Sequence, residues 1–275
     1  MSVGTKVITL TSRKGGVGKT ACTGLMARYF TEVEGKNVVV IDLDARGGVT
    51  SLFTDVVLGE EDLSISEVIL AASNNENFQD IFNKSIFDTG LNKNKNWVDN
   101  GGRLFLLPSK PNLDKVLANA HYSLLGAIIR NIRLPDNVLI LIDTGSSSDS
   151  VLAGVGAADV VFVPLIMSKQ DILPVFETLR TIQIMQRKSE NNAPAMGGFI
   201  INQPGETQWE AEYVNTYRQT LDEYRKESNL RCVSEDQFFF LKTSRLIRSG
   251  AYLDWGLRKD FYTFAKMLAD IVYKA

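Results

Sequence analysis

The stretch that most restricts this chain is "VITLTSRKGGVGKT", Val7 to Thr20. A β-branched run leads into a glycine loop, and the loop ends in Lys-Thr where helical patterning begins. Gly15, Gly16 and Gly18 lack Cβ, so backbone N–H groups there can close around phosphate oxygens. The helix starting near Lys19 adds its dipole and its unpaired N–H groups. Lys19 offers a cation to the outer phosphate oxygens, and Thr20 offers a hydroxyl to a divalent ion. A merely flexible glycine turn has no use for Lys-Thr at this spacing. The loop departs from the usual G-x-x-x-x-G-K-[ST] in one respect. Arg13 stands where the first glycine belongs, and a second lysine, Lys14, precedes Lys19 by five residues.

The rest of the chain repeats the strand–helix alternation. Val7–Thr11, Val38–Leu43, Leu104–Leu107, Val138–Ile142, Val160–Pro164, Gly198–Ile201 and Phe238–Leu241 read as strands. Several are apolar throughout, as in strands buried on both faces. The pattern predicts an α/β fold with a doubly wound, mostly parallel sheet and helices on both faces. The first helix runs from Lys19 to about Val33 and is closed by Gly35. Residues 54–103 differ: eight asparagines lie between Asn74 and Asn100. That region reads as a short helix around Ile65–Ala72 and then an irregular polar excursion on a single domain spanning 1–275. A final helix, Asp260–Lys274, places Phe261, Phe264, Met267, Leu268, Ile271 and Val272 at helical spacing, as in a helix packed on the sheet. Its polar face mixes Lys259, Lys266 and Lys274 with Asp260 and Asp270, a poor match to anionic lipid. The net charge of −2 gives no global sign of a nucleic-acid or membrane partner. No run approaches about 20 apolar residues, and the first residues lack a signal-peptide core. Cys22 and Cys232 are in no metal-ligand spacing, so a cytoplasmic location with free thiols is expected.

Phosphate and Mg²⁺ call for carboxylates, and two strands end in them. "VVVIDLDA" offers Asp42 and Asp44, and "VLILIDTG" offers Asp143. An acid at the C-terminal end of a buried parallel strand faces the crevice where such sheets bind ligands. Asp143 is the natural acid for the Mg²⁺ shell. A turn or capping aspartate is the plain alternative for each.

These residues resemble the ParA/MinD group of P-loop ATPases. "KGGVGKT" resembles that group's deviant Walker A loop, in which a lysine opens the motif. "VVVIDLDARGGVTSLF" resembles its DxDPQ-x-x-x-T motif, "LFLLPSKPNLDKV" its L-x-L-I-P-S strand, and "VLILIDTGSSS" its Walker B segment with D-x-P-P-S. "GAADVVFVPL" and "LKTSRLIRSGAYLDWG" match later segments, so the likeness runs from about Lys6 to Ala275. The resemblance implies ATP and Mg²⁺ as ligands, with nucleotide contacts from Lys14, Gly15, Gly16, Val17, Gly18, Lys19, Thr20 and Ala21. It implies that Lys14 reaches across a nucleotide-sandwich homodimer to the other subunit's phosphates. A cation supplied in trans suits in-line phosphoryl transfer, which needs charge stabilisation around the γ-phosphate. Asp44 then positions the attacking water, and Asp42 and Asp143 organise Mg²⁺ with Thr20. Asn202, after "GGFII", resembles the adenine-contacting residue; an asparagine in a turn is the alternative.

The chain departs from the family pattern at Ala45-Arg46, in place of Pro-Gln, and at Thr144-Gly145-Ser146, in place of the Pro-Pro segment. Both lie near switch regions and bear on hydrolysis. No helix-turn-helix precedes the loop, as in the short ParA type. The family's ATP dimers bind DNA without sequence preference. Here Lys242, Arg245, Arg248, Arg258 and Lys259 form the candidate basic surface, opposed between 242 and 259 only by Asp254; an ordinary solvated face is the alternative. The resemblance implies partition of DNA or positioning of cargo at the nucleoid, with a ParB-like or other adaptor stimulating hydrolysis. A MinD-like ATPase at a membrane surface and a low-turnover ATP-bound scaffold are the rival functions. "MSKQD", Met167–Asp171, is a faint guanine-specificity motif, and the two cysteines do not supply the pair an iron–sulfur reductase needs.

Overall fold

Eight strands form one sheet in a computed structural model that describes residues 5–55, 58–89, 102–135, 137–166, 172–189, 193–202, 208–234, 238–241 and 259–275. In the helices at 208–227 and 259–274, side chains are described from 215 and 261 onward. The strands are β1 (Lys6–Leu10), β2 (Asn37–Leu43), β3 (Phe87–Asp88), β4 (Leu104–Leu107), β5 (Val138–Thr144), β6 (Val160–Ile166), β7 (Ala195–Asn202) and β8 (Phe238–Leu241). Their order is β3-β4-β2-β5-β1-β6-β7-β8. Every neighbouring pair is parallel except β3 with β4.

Alternate residues of the central strands serve opposite faces. On β2, Val38 and Val40 join one buried cluster while Val39, Ile41 and Leu43 join another. On β5, Leu139 and Leu141 go with the first cluster, and Ile140 and Ile142 with the second. Helix α1 (Lys19–Arg28) and α2 (Gly48–Phe53) cover the first face. The second face is covered by α3 (Ile65–Ser73), α4 (Phe78–Ser85), α5 (Leu113–Asn119) and α6 (Leu124–Asn131). Beside β6 and β7, α7 (Ser148–Ala157), α8 (Ile172–Lys188) and α9 (Gln208–Glu227) build a third cluster. The apolar strands are thus sandwiched, as their composition requires.

The structure corrects the reading of the polar excursion. The asparagine-rich excursion holds two regular elements among its described residues: Asn77 caps α4 by accepting from the Asp80 N–H at 3.3 Å, and β3 then pairs antiparallel with β4. Polar composition hid these elements because asparagine caps helices as readily as it breaks them. The first helix reaches Val33 as expected, its last turn, Tyr29–Val33, widening into a π-helix before Gly35 at φ 62°. The strand expectations at the sheet centre differ from the observed strands by one to three residues at the ends.

The last helix, α10 (Lys259–Lys274), packs on the same face as α1. Phe261, Phe264, Leu268, Ile271 and Val272 are buried there, whereas Met267, read above as part of the apolar stripe, is 47% exposed. No helix among the described residues is long and apolar enough to cross a membrane. Packing of this kind predicts that Leu268→Ala lowers unfolding free energy by about 2–5 kcal/mol. Met267→Ala changes it by less than about 0.5 kcal/mol. Urea denaturation of both variants is the check.

Candidate functional site

The strand order turns at β1, which lies between β5 and β6, and a parallel sheet binds ligands at such a switch point. The C-terminal ends of β1, β2 and β5 carry the glycine loop, Asp42 with Asp44, and Asp143. Sequence position alone separates these by about a hundred residues; parallel pairing brings them to one edge. Register sets Leu10 against Asp143 and Asp42 against Asp143.

Within the loop, Gly16 and Gly18 have φ of 76° and 94°, which a side chain resists. Gly15 and Gly16 are exposed, with open space where a Cβ would stand. Lys19 is 6% exposed, and its ammonium curls onto the loop, donating to Lys14 O at 3.0 Å and Ser12 O at 3.3 Å. Burial pulls its pKa down, against the opposing charges of Asp143 and Asp44. Lys14 is half-buried, and its N–H donates to Ser12 Oγ at 3.3 Å.

Arg13 has a structural role that the sequence did not reveal. Its N–H donates to Thr178 Oγ1 at 3.1 Å, and its guanidinium donates to Ser148 Oγ and, at 3.4 Å, to Thr181 Oγ1. The loop is thereby tied to the start of α7 and to α8. A glycine here makes none of the side-chain bonds. The only sequence-level signal is Thr178 and Thr181 at helical i,i+3 spacing, whose partner cannot be guessed without the fold.

Asp143 is fully buried and accepts from Thr20 Oγ1 at 2.7 Å and Thr23 Oγ1 at 3.3 Å, both on α1. Burial, reinforced by the neighbouring Asp42 charge, raises its pKa to about 7. Asp42, equally buried, accepts from Thr50 N at 2.9 Å, Thr50 Oγ1 at 2.7 Å and Asp44 N at 2.9 Å; burial raises it to about 6 against those bonds. Both Asp42 oxygens are therefore engaged by the protein. The Asp44 carboxylate is gripped by Arg46, whose Nε donates at 3.0 Å and Nη2 at 2.8 Å. Among the described residues no three His, Cys, Asp or Glu side chains converge as a self-sufficient cage. Two carboxylates and the Thr20 hydroxyl suit instead a hard cation that keeps waters and shares substrate oxygens, as Mg²⁺ does.

Asn202 ends β7 as a buried strand residue and is not in a turn. Its Nδ2 donates to Val17 O at 2.8 Å, which braces the loop, while its buried Oδ1 has no partner. A Cβ on Gly18 would overlap this amide. An orphaned acceptor facing the loop fits a donor supplied by a ligand. Lys242, Arg245, Arg248 and Arg258 lie outside the described residues, as do Met167–Asp171; the side chain of Lys259, at the start of α10, is also undescribed.

The two acids give a pH signature. Their pKa values are raised by folding, so the native state binds protons that the unfolded chain releases near pH 4. Their contribution to stability is fully present below that point and is lost as pH rises through about 6 to 7. Without divalent cation, the unfolding free energy contributed by each group falls by up to about 1.4 kcal/mol per pH unit within this window. Asp143→Asn flattens the slope between pH 5 and 7.5, as measured by chemical denaturation; an unaltered slope contradicts the assignment.

A family profile described as an AAA domain, AAA_31, matches residues 5–194. No curated protein matches the chain. Among solved structures, McdA from Cyanothece without nucleotide superimposes with a TM-score of 0.72 at 16% identity, covering 96% of this chain and 99% of that one. A putative plasmid partition protein from Borrelia burgdorferi B31 bound to AMPPNP gives 0.68 at 20% identity, covering 98% and 99%. Cobyrinic acid a,c-diamide synthase from Mycobacterium smegmatis, with a bound ATP analog and magnesium, gives 0.63 at 23%, covering 78% and 82%. At these identities the structures speak for the shared doubly wound fold, while the profile match carries the family. The chain belongs to the AAA_31 family of AAA domains, a ParA/MinD-type group of P-loop proteins.

Proposed function

We propose that this chain is a ParA-like ATPase that positions DNA or another cargo. The observation that carries the reading is the loop with two lysines, Lys14 and Lys19, standing over a threonine–aspartate pair, Thr20 and Asp143. ATP and Mg²⁺ are the ligands that fit. The Gly15–Thr20 backbone and Lys19 hold the phosphates, Val17 and Ala21 flank them, and the unpaired Asn202 Oδ1 accepts from the adenine amino group. Asp143 and Thr20 hold Mg²⁺, with Asp42 setting the charge beside them and fixing Thr50 of α2. When bound, Mg²⁺ draws off charge from the phosphate oxygens.

Asp44 orients the attacking water. The water's oxygen bonds to the γ-phosphorus as the bond to the bridging oxygen breaks, ADP keeps the bridging electron pair, and the water's proton passes to solvent through the carboxylate or the released phosphate. Lys14 completes the site of a second subunit, so ATP is part of a homodimer interface and switches association. The dimer binds DNA nonspecifically through Lys242, Arg245, Arg248, Arg258 and Lys259, and a ParB-like or other adaptor triggers hydrolysis and release. A single domain at the nucleoid suffices for that cycle. The nucleotide complexes of the Borrelia protein and a McdA variant support ATP as the ligand.

Light scattering with ADP, ATP and ATP plus DNA tests the scheme: a mass doubling only with ATP, and a DNA-bound species only with that dimer. Lys14→Ala retains nucleotide binding and loses both ATP-dependent dimerisation and turnover; an ATP dimer of normal strength refutes the trans role. Asp44→Ala accumulates the ATP-bound dimer, and unchanged turnover in that variant excludes a part for Asp44 in hydrolysis.

A further inference from the structure

Asp44, Ala45, Arg46 and Gly47 form a tight turn closed by Gly47 N donating to Asp44 O at 2.8 Å, with Gly47 at φ 67°. The Arg46 N–H also returns to Asp44 Oδ1 at 3.0 Å, an Asx-type closure. This turn aims the Arg46 side chain back over the carboxylate. Nε then takes Oδ1 at 3.0 Å and Nη2 takes Oδ2 at 2.8 Å, so one fork occupies both oxygens. The Asp44 backbone is pinned on both sides, by Asp44 N to Asp42 Oδ1 at 2.9 Å and by Ser109 Oγ to Asp44 O at 2.7 Å. The Arg46 side chain is 69% exposed and that of Asp44 only 15%. The fork can therefore open by a rotation of one exposed side chain while the carboxylate stays in place.

We infer that Arg46 is a brake on hydrolysis: it occupies the carboxylate that must orient water, and basal turnover is limited by the fraction of time the fork is open. This rests on the ATPase reading and on the role of Asp44 within it. A glutamine at this position, as in the resembling motif, carries no charge and cannot grip both oxygens. Magnitude limits the effect. Partly exposed ion pairs stabilise weakly, and a bidentate arginine pair lies at the upper end of that range, so the brake is worth about three- to tenfold.

The test is steady-state ATPase of the full chain with ATP and Mg²⁺ alone. Arg46→Gln raises basal kcat about three- to tenfold with mant-ATP affinity unchanged, and Arg46→Lys, which keeps the charge and loses the fork, falls between. Combining Arg46→Gln with Asp44→Asn abolishes the gain. Arg46 is exposed, so its variants fold as the wild type does, and thermal melts check this. Independently of turnover, the Arg46 Nε–H gives a slowly exchanging ¹⁵N resonance that is lost in Asp44→Asn. A lower kcat in Arg46→Gln shows that the guanidinium serves the phosphoryl charge and overturns the brake; so does an unchanged kcat, or a gain that survives Asp44→Asn. If the wild type neither binds mant-ATP nor turns over, the ATPase reading falls and the brake with it. If it binds and turns over while Arg46→Gln is neutral, the brake alone falls.

Discussion

Two buried carboxylates, forced side by side by strand register, organise the rest of this molecule. Asp42 and Asp143 are paired across β2 and β5, whose backbones run about 4.8 Å apart. Both point to the α1 face, because the residues two before them, Val40 and Leu141, do. Charges this dry are unfavourable, so burial lifts both pKa values, with the Asp42 charge adding to the rise at Asp143 and the Asp44 charge to that at Asp42. The protein offsets the cost with hydrogen bonds from the helices it must hold there anyway. Thr20 and Thr23 bind α1 to Asp143, and Thr50 binds α2 to Asp42. The same contacts thus fix two helices and leave a concentration of negative charge that protons relieve at low pH and a cation can relieve above it.

The places where this sequence departs from its family's motifs meet in space. Arg13, in the glycine's position, reaches Ser148 at the start of α7. The residues just before that helix, Thr144 to Ser146, replace a Pro-Pro segment. Gly145 of that stretch lies against Asp44, since a Cβ there would be 3.5 Å from the Asp44 carboxyl carbon. Its N–H donates to Ser150 Oγ at 2.8 Å and to Leu43 O at 3.2 Å. Proline lacks the N–H that makes those bonds. Arg46, of the Ala45-Arg46 departure, clamps Asp44 from the solvent side. Gly145 and Arg46 thus lie on two sides of Asp44, while Arg13 ties the loop to the helix that follows Gly145.

The fold was legible because buried parallel strands leave little freedom: seven short apolar runs, each ended by a turn or an acid, give the sheet. The elements missed have physical reasons for being missed. The helix α4 has a polar outer face and an asparagine cap, so its composition matches a loop. Strand β3 is two residues long and exists only by pairing with β4. At the site, Lys19, Thr20 and Asp143 could be placed from the sequence because glycine spacing and strand ends are local signals. Arg13 to Thr178, Asp42 to Thr50 and Arg46 over Asp44 could not. The first spans 165 residues, the second depends on where α2 docks, and the third depends on a turn whose side-chain direction no period encodes.

The two lysines are coupled in a way that spacing alone does not reveal. Lys19 spends its charge on the carbonyl of Lys14, at 3.0 Å, and on that of Ser12. Those neutral acceptors are poor partners for a buried ammonium, and burial accordingly lowers its pKa. Under the proposed function a phosphate in the glycine cradle would be a stronger acceptor for Nζ than either carbonyl, so the ammonium that holds the loop onto itself is the same one that the ligand would claim.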